Sequence, residues 1–135
     1  MTDSGEIDLA TLLRSMEPIL HDGAFVFSTS EELPSPEHLA AAIALFHEPE
    51  GTTLVLPADR AGTAGFVWSD PMAWISLTVH SSLKAVGLTA AVAGALRDAG
   101  IPCNVVAAFY HDHLFVPLDS ADAALAALHR LSGTG

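Results

Sequence analysis

From Ala73 to His80 the chain alternates without a break, with Ala73, Ile75, Leu77 and Val79 on one side and Trp74, Ser76, Thr78 and His80 on the other. A period of two demands a β-strand with one packed face and one more polar face. The residues after it must then suit such a strand. Ser81-Ser82 can cap a helix running from Leu83 to about Ala99, stopped by Gly100 and Pro102. Cys103–Phe109 is apolar on both faces except at Asn104, which predicts a central strand. Tyr110–His113 makes a tight turn and Leu114–Pro117 returns antiparallel. Asp119 or Ser120 caps a last helix whose Ala121, Ala124, Leu125, Leu128 and Leu131 form one stripe, ended by Gly133. Strand, helix, strand, strand, helix is most of a split βαβ, ferredoxin-like unit. The expected class is α+β (βαββαβ), with an antiparallel sheet covered by helices on one face.

The first half reads as a weaker copy. Ile7, Leu9, Ala10, Leu12 and Leu13 suit a short amphipathic helix over Ile7–Met16, capped near Ser4. Gly23 releases Ala24–Ser28 as a short strand. Ser28–Pro36 is linker-like and ends in Ser35-Pro36, a cap residue followed by proline at the first helical position. The Ala-rich run to His47 reads as helical, Glu48-Pro49-Glu50-Gly51 stops it, and Thr52–Leu56 reads as a buried strand. Pro57–Gly65 has room for a single helical turn. One strand is missing from this copy, so the halves 1–67 and 68–135 are expected to complete one another or a partner chain.

Composition narrows the functions. Sixteen acidic residues against 5 basic ones give a formal net charge of −11. Five scattered cations make no footprint for a phosphate backbone, which argues against nucleic acid. The acidic balance favours solubility and cationic or zwitterionic small partners. Half the residues are apolar, too many for a disordered chain. No apolar run reaches the roughly 18 residues of a membrane span. Asp3, Glu6 and Asp8 stand where a signal peptide would be basic, so a cytoplasmic protein is expected. A single cysteine, Cys103, excludes an internal disulfide framework and a multi-Cys zinc site.

The stretch His80-Ser81-Ser82-Leu83-Lys84-Ala85-Val86-Gly87, with Ala99-Gly100-Ile101-Pro102-Cys103-Asn104-Val105-Val106 after it, resembles an ACT domain. The whole chain is similar to small stand-alone bacterial proteins with paired ACT-like halves, and distantly to the regulatory ends of aspartate kinases. No Gly-bearing loop is recognisable in the first half. The resemblance implies a non-enzymatic amino-acid-binding sensor, without a cofactor, that acts through a separate partner protein.

A free amino acid needs N–H donors for its carboxylate and acceptors for its ammonium. The start of the Leu83 helix supplies unpaired N–H groups and the positive end of the macrodipole, worth about 0.3–1 kcal/mol for an anion. Ser81 and Ser82 add hydroxyls, Gly87 leaves room, and Asn104 offers a donor and an acceptor. Leu83, Val86 and Val105 complete the expected ligand site. A purely structural role serves the same residues: Ser82 as a helix cap, Gly87 as a tolerated glycine, Asn104 bonded to a neighbouring loop.

Gly87, Ala90, Ala91 and Gly94 form a face of small residues, and Ala85, Leu88, Val92, Leu96 and Ala99 the other side. Both sides need cover. The small face is expected to meet the Ile7–Met16 helix or a symmetry mate, and a homodimer is favoured. Other chemistry has thinner support. His111 and His113, with Asp112 between them and His80 as a further candidate, could start a metal site, but a His-Asp-His tip is equally a polar turn. His80 or His113 with Ser81 or Ser82 and Asp112 can be drawn as a hydrolase triad, yet no Gly-x-Ser-x-Gly elbow occurs. Cys103 reads as a packed thiol rather than a nucleophile. Glu48 and Glu50 read as a solvated loop, and Glu31-Glu32 as linker charge. Trp68 and Trp74 read as packing residues, with Trp74 also placed to lie at an interface.

Overall fold

The computed structural model describes residues 5–61, 67–78 and 86–133. In chain order the elements are α1 (Gly5–Ser15), β1 (Pro18–Leu20), β2 (Phe25–Ser30), α2 (Pro36–Ala41), β3 (Ala44–Glu48), β4 (Gly51–Pro57) and α3 (Ala58–Ala61). Then come β5 (Val67–Trp68), β6 (Met72–Leu77), α4 (Val86–Asp98), β7 (Asn104–Ala107), β8 (Asp112–Pro117) and α5 (Ala121–Ser132), the last entered through a 3-10 turn at Leu118–Ser120. They form two units, one of Asp22–Met72 and one of Met1–His21 with Ala73–Gly135.

In the Asp22–Met72 unit the strands lie in the order β3-β4-β2-β5. β2 runs antiparallel to β4 from Phe25↔Pro57 to Ser30↔Thr52, and β3 pairs with β4 from Ala44↔Val55 to Glu48↔Gly51. β5 pairs antiparallel with β2. This is a full βαββαβ unit. Ser35 caps α2 as expected, its Oγ accepting from the His38 N–H at 3.2 Å, with Pro36 in the first turn. Val26, Leu54, Leu56 and Ala61 form the core, with Ala41, Ala42 and Ala58 packed on it. The buried Ser28 hydroxyl is satisfied by donating to the Leu54 carbonyl at 3.1 Å.

Three strands, β1, β3 and β5, are absent from the sequence reading, so the copy expected to lack a strand is complete. The Ala-rich run is helical only to Ala41; Ala42 turns extended, and the Ile43 N–H donates to the Val55 carbonyl at 2.7 Å. Ala44–Glu48 is a strand where the sequence pattern read helix. Alanine's helix preference is a few tenths of a kcal/mol per residue, and a ladder along all of β3 outweighs it. The hairpin then closes through Pro49-Glu50. At Gly51 a Cβ would sit 2.6 Å from the Ser30 carbonyl oxygen, so the neighbouring strand leaves room for glycine alone.

The other unit has the order β1-β6-β8-β7. Its chain supplies β6, α4, β7, β8 and α5, and the fourth strand position is filled from the N-terminal side by β1. β1 is antiparallel to β6, with Pro18↔Leu77, Ile19↔Ser76 and Leu20↔Ile75. The Glu17 carbonyl accepts both the Thr78 N–H and the Thr78 hydroxyl, each at 3.1 Å. Ala73, Ile75 and Leu77 are fully buried, as the alternation requires. They pack with Leu114 and Val116 of β8, Leu88, Val92 and Leu96 of α4, Ala124 and Leu128 of α5, and Met16. Leu9 and Leu13 of α1 join the margin of this core. Helices therefore cover one face, and Trp74, Ser76, His113 and Phe115 belong to the other by register parity.

A second correction concerns Cys103–Phe109. The strand is only Asn104–Ala107 and stands at the end of the order, beside β8. Asn104 and Ala107 are exposed, and Val105 and Val106 half-buried. An apolar run with two similar faces signals a strand but not its rank in the sheet. Cys103 itself is half-buried against the core, and burial pushes its thiol pKa up, which fits a packed thiol.

Candidate functional site

Of the expected ligand residues, Ser81, Ser82 and Leu83 lie outside the described residues, together with Val79 and His80. Val86 opens α4. At Gly87 a Cβ would stand 2.8 Å from Leu9 Cδ2, so the first turn of α4 is pressed against α1 of the same chain. The small-residue face thus meets the N-terminal helix at this point. Asn104 and Val105 point to opposite sides of β7. Val105 pairs with Leu114 and joins the core, whereas Asn104 pairs with Phe115 and is exposed.

The richest polar arrangement lies on the face of the sheet away from the helices, and it turns on His21, which the sequence reading did not single out. His21 comes directly after β1, and its backbone N–H donates to the Trp74 carbonyl at 2.9 Å. That places its ring flat on the Trp74 indole, with centroids 3.5 Å apart and planes 7° from parallel. His21 Nε2 lies 2.7 Å from Ser76 Oγ, and Ser76 Oγ lies 3.1 Å from His113 Nδ1. Trp74 Nε1 donates to the same His113 Nδ1 at 3.1 Å. Ser76 is only 6% exposed.

The Trp74 N–H assigns the protons. An indole nitrogen can only donate, so His113 Nδ1 carries the lone pair and its proton sits on Nε2. Ser76 must then donate its hydroxyl proton to His113 and accept from His21 Nε2–H. The chain of donors runs His21 to Ser76 to His113, with Trp74 joining at the end. Electrostatics agree. Burial pushes the His113 pKa down, the nearby His111 and His21 push it further, and Asp112 opposes them. The Asp112 carboxyl is itself raised by burial, with His113 pulling the other way.

A serine donating to a histidine resembles the start of a nucleophile–base pair. Here the accepting nitrogen is shared with the Trp74 N–H and its pKa is depressed, both of which weaken it as a base. Hydrogen bonds join His113 to Ser76 and Trp74, while His80, Ser81 and Ser82 of the triad that can be drawn from the sequence lie outside the described residues. Among the described residues no three His, Cys, Asp or Glu side chains converge as a metal site, so His111 and His113 gain no further ligand there. Among the described residues the shielded Nδ1 of His111 has no hydrogen-bond partner.

Two family models, both described as ACT domain, match residues 4–73 and 71–130. A crystal structure of a Vibrio cholerae protein of unknown function, described as a possible transport protein, is 46% identical. It covers 96% of this chain and 99% of its own, with a TM-score of 0.82. An Agrobacterium tumefaciens protein is 17% identical over 87% of this chain and 89% of its own, with a TM-score of 0.70. The regulatory subunit of aspartate kinase from Thermus thermophilus shares the fold at 13% identity, covering 84% of this chain and 95% of its own, with a TM-score of 0.65. No curated protein matches the chain.

Proposed function

The chain belongs to the ACT-domain family, and from that premise we propose that it is a regulatory protein whose ligand is a free amino acid. The observation that carries this reading is the pair of ACT matches, which together span residues 4–130, so that nearly all of these 135 residues belong to domains of that kind. The fold shared with an aspartate kinase regulatory subunit supports the same role. The ligand is assigned to Ser81, Ser82, Leu83, Val86, Gly87 and Asn104, with Val105 on the opposite, core-facing side of β7. Backbone N–H groups at the start of α4 take the carboxylate, and the Asn104 side chain, exposed at the head of β7, takes the ammonium. The protein works as a cytoplasmic homodimer that passes occupancy to a separate partner protein. A useful coupling between ligand and partner is about 1–3 kcal/mol.

The test is a thermal-shift screen of the purified protein against each of the twenty amino acids, with zinc and nickel alongside. A ligand at 100 times its Kd adds about 2.7 kcal/mol, several degrees of Tm for a chain of this size. One or two amino acids are expected to raise Tm, and Asn104→Ala, a change at an exposed position, is expected to reduce the rise. A flat amino-acid panel overturns the reading, and a shift with metal alone would return attention to His111 and His113.

A further inference from the structure

We propose that the N-terminal segment Gly5–His21 is a strut that couples the first turn of α4 to the His21–Ser76–His113 chain on the other face of the sheet. It is held at three places. Leu9 is pressed on Gly87, with 2.8 Å between its Cδ2 and the position of a Cβ there. The Glu17 carbonyl is gripped twice by Thr78. His21 is fastened to Trp74 by its backbone and its ring.

Between these anchors there is little slack. Only Met16 and Glu17 separate α1 from β1; Met16 is 3% exposed in the core, and Glu17 is the residue bonded to Thr78. Packed cores shift as pieces rather than stretch. A displacement of α1 is therefore passed to β1, whose Ile19 is in register with Ser76. Ser76 is the joint of the chain, since it accepts from His21 and donates to His113. Moving β1 changes the first bond and, through the shared hydroxyl, the second. A continuous run of packed and hydrogen-bonded contacts carries the displacement from α1 to Ser76. Thr78 and Gly87 flank the proposed ligand loop in sequence, so amino-acid binding would be read on the far face of the sheet. That consequence rests on the proposed amino-acid-binding function; the mechanical coupling does not.

The experiment uses the full chain without any ligand and tracks the imidazole resonances by NMR. Gly87→Ala introduces the methyl that Leu9 must yield to, and the His21 and His113 resonances are expected to move while those of His38 and His47 stay. Adding Leu9→Ala to Gly87→Ala returns the space, and the resonances are expected to move back. Unmoved His21 and His113 signals in folded Gly87→Ala, or a movement that Leu9→Ala does not reverse, would overturn the coupling. Should Gly87→Ala fail to fold, Thr78→Val removes one of the two bonds on Glu17, and the same resonances are expected to respond; silence there also overturns it. An empty amino-acid screen beside a reversible NMR response would sink the ligand reading alone.

Discussion

Ser76 accepts from His21 and donates to His113, so its hydroxyl is the residue-scale joint of the far face. Ser76→Ala removes both bonds inside a nearly closed site. The expected loss is about 1–3 kcal/mol of stability, read as a lower midpoint in urea with an unchanged slope. His113 gives a pH signature. Its folded pKa lies below the ordinary value of about 6.5 because burial, then His111 and His21, disfavour the cation. The unfolded chain thus binds the extra proton more readily, and the stability tied to neutral His113 is present above about pH 6.5 and lost as pH falls through the folded value. Tm is expected to drop between about pH 7 and 5, and His113→Asn, which keeps an acceptor without the titration, should flatten that slope. Asp112 works in the opposite sense, since its pKa is raised by burial: its contribution is greatest at acid pH and is lost as pH rises through the folded value.

At the scale of elements, the hairpin of β3 and β4 depends on Gly51. A methyl there meets the Ser30 carbonyl oxygen at 2.6 Å, so Gly51→Ala is expected to cost about 1–3 kcal/mol, measured by chemical denaturation. β1 matters more. Removing residues 1–21 takes one partner strand of β6 and the buried Met16 away together, and the truncated chain is expected to lose its cooperative melting transition. Elements were legible where the pattern was local. The alternation at Ala73–Leu77, the Ser35-Pro36 cap and the α5 stripe each announce themselves within a few residues. β3 was not, because alanines say helix while the pairing that overrides them comes from a strand further along. His21 escaped for the same reason at longer range: its hydrogen-bond partner Ser76 is 55 residues away, and nothing near His21 hints at Trp74.

At the scale of the whole molecule, a net charge of −11 on 135 residues pushes the folded chain apart. Added sodium chloride screens that repulsion within about 8–10 Å at 0.1–0.15 M, so Tm is expected to rise from low salt to physiological salt and then level off. The origin of β1 has a further consequence, in time rather than in space. On the ribosome Pro18–Leu20 is made early, but its partner strand β6 begins only at Met72. Asp22–Met72, which carries its own four strands, is synthesised in between and can close on local pairings first. The N-terminal helix and strand must wait through that whole interval, with their apolar faces unmet. Late, long-range closure of this kind is slow and exposes sticky surface, so the nascent chain is most vulnerable after its first unit has folded and before its second can.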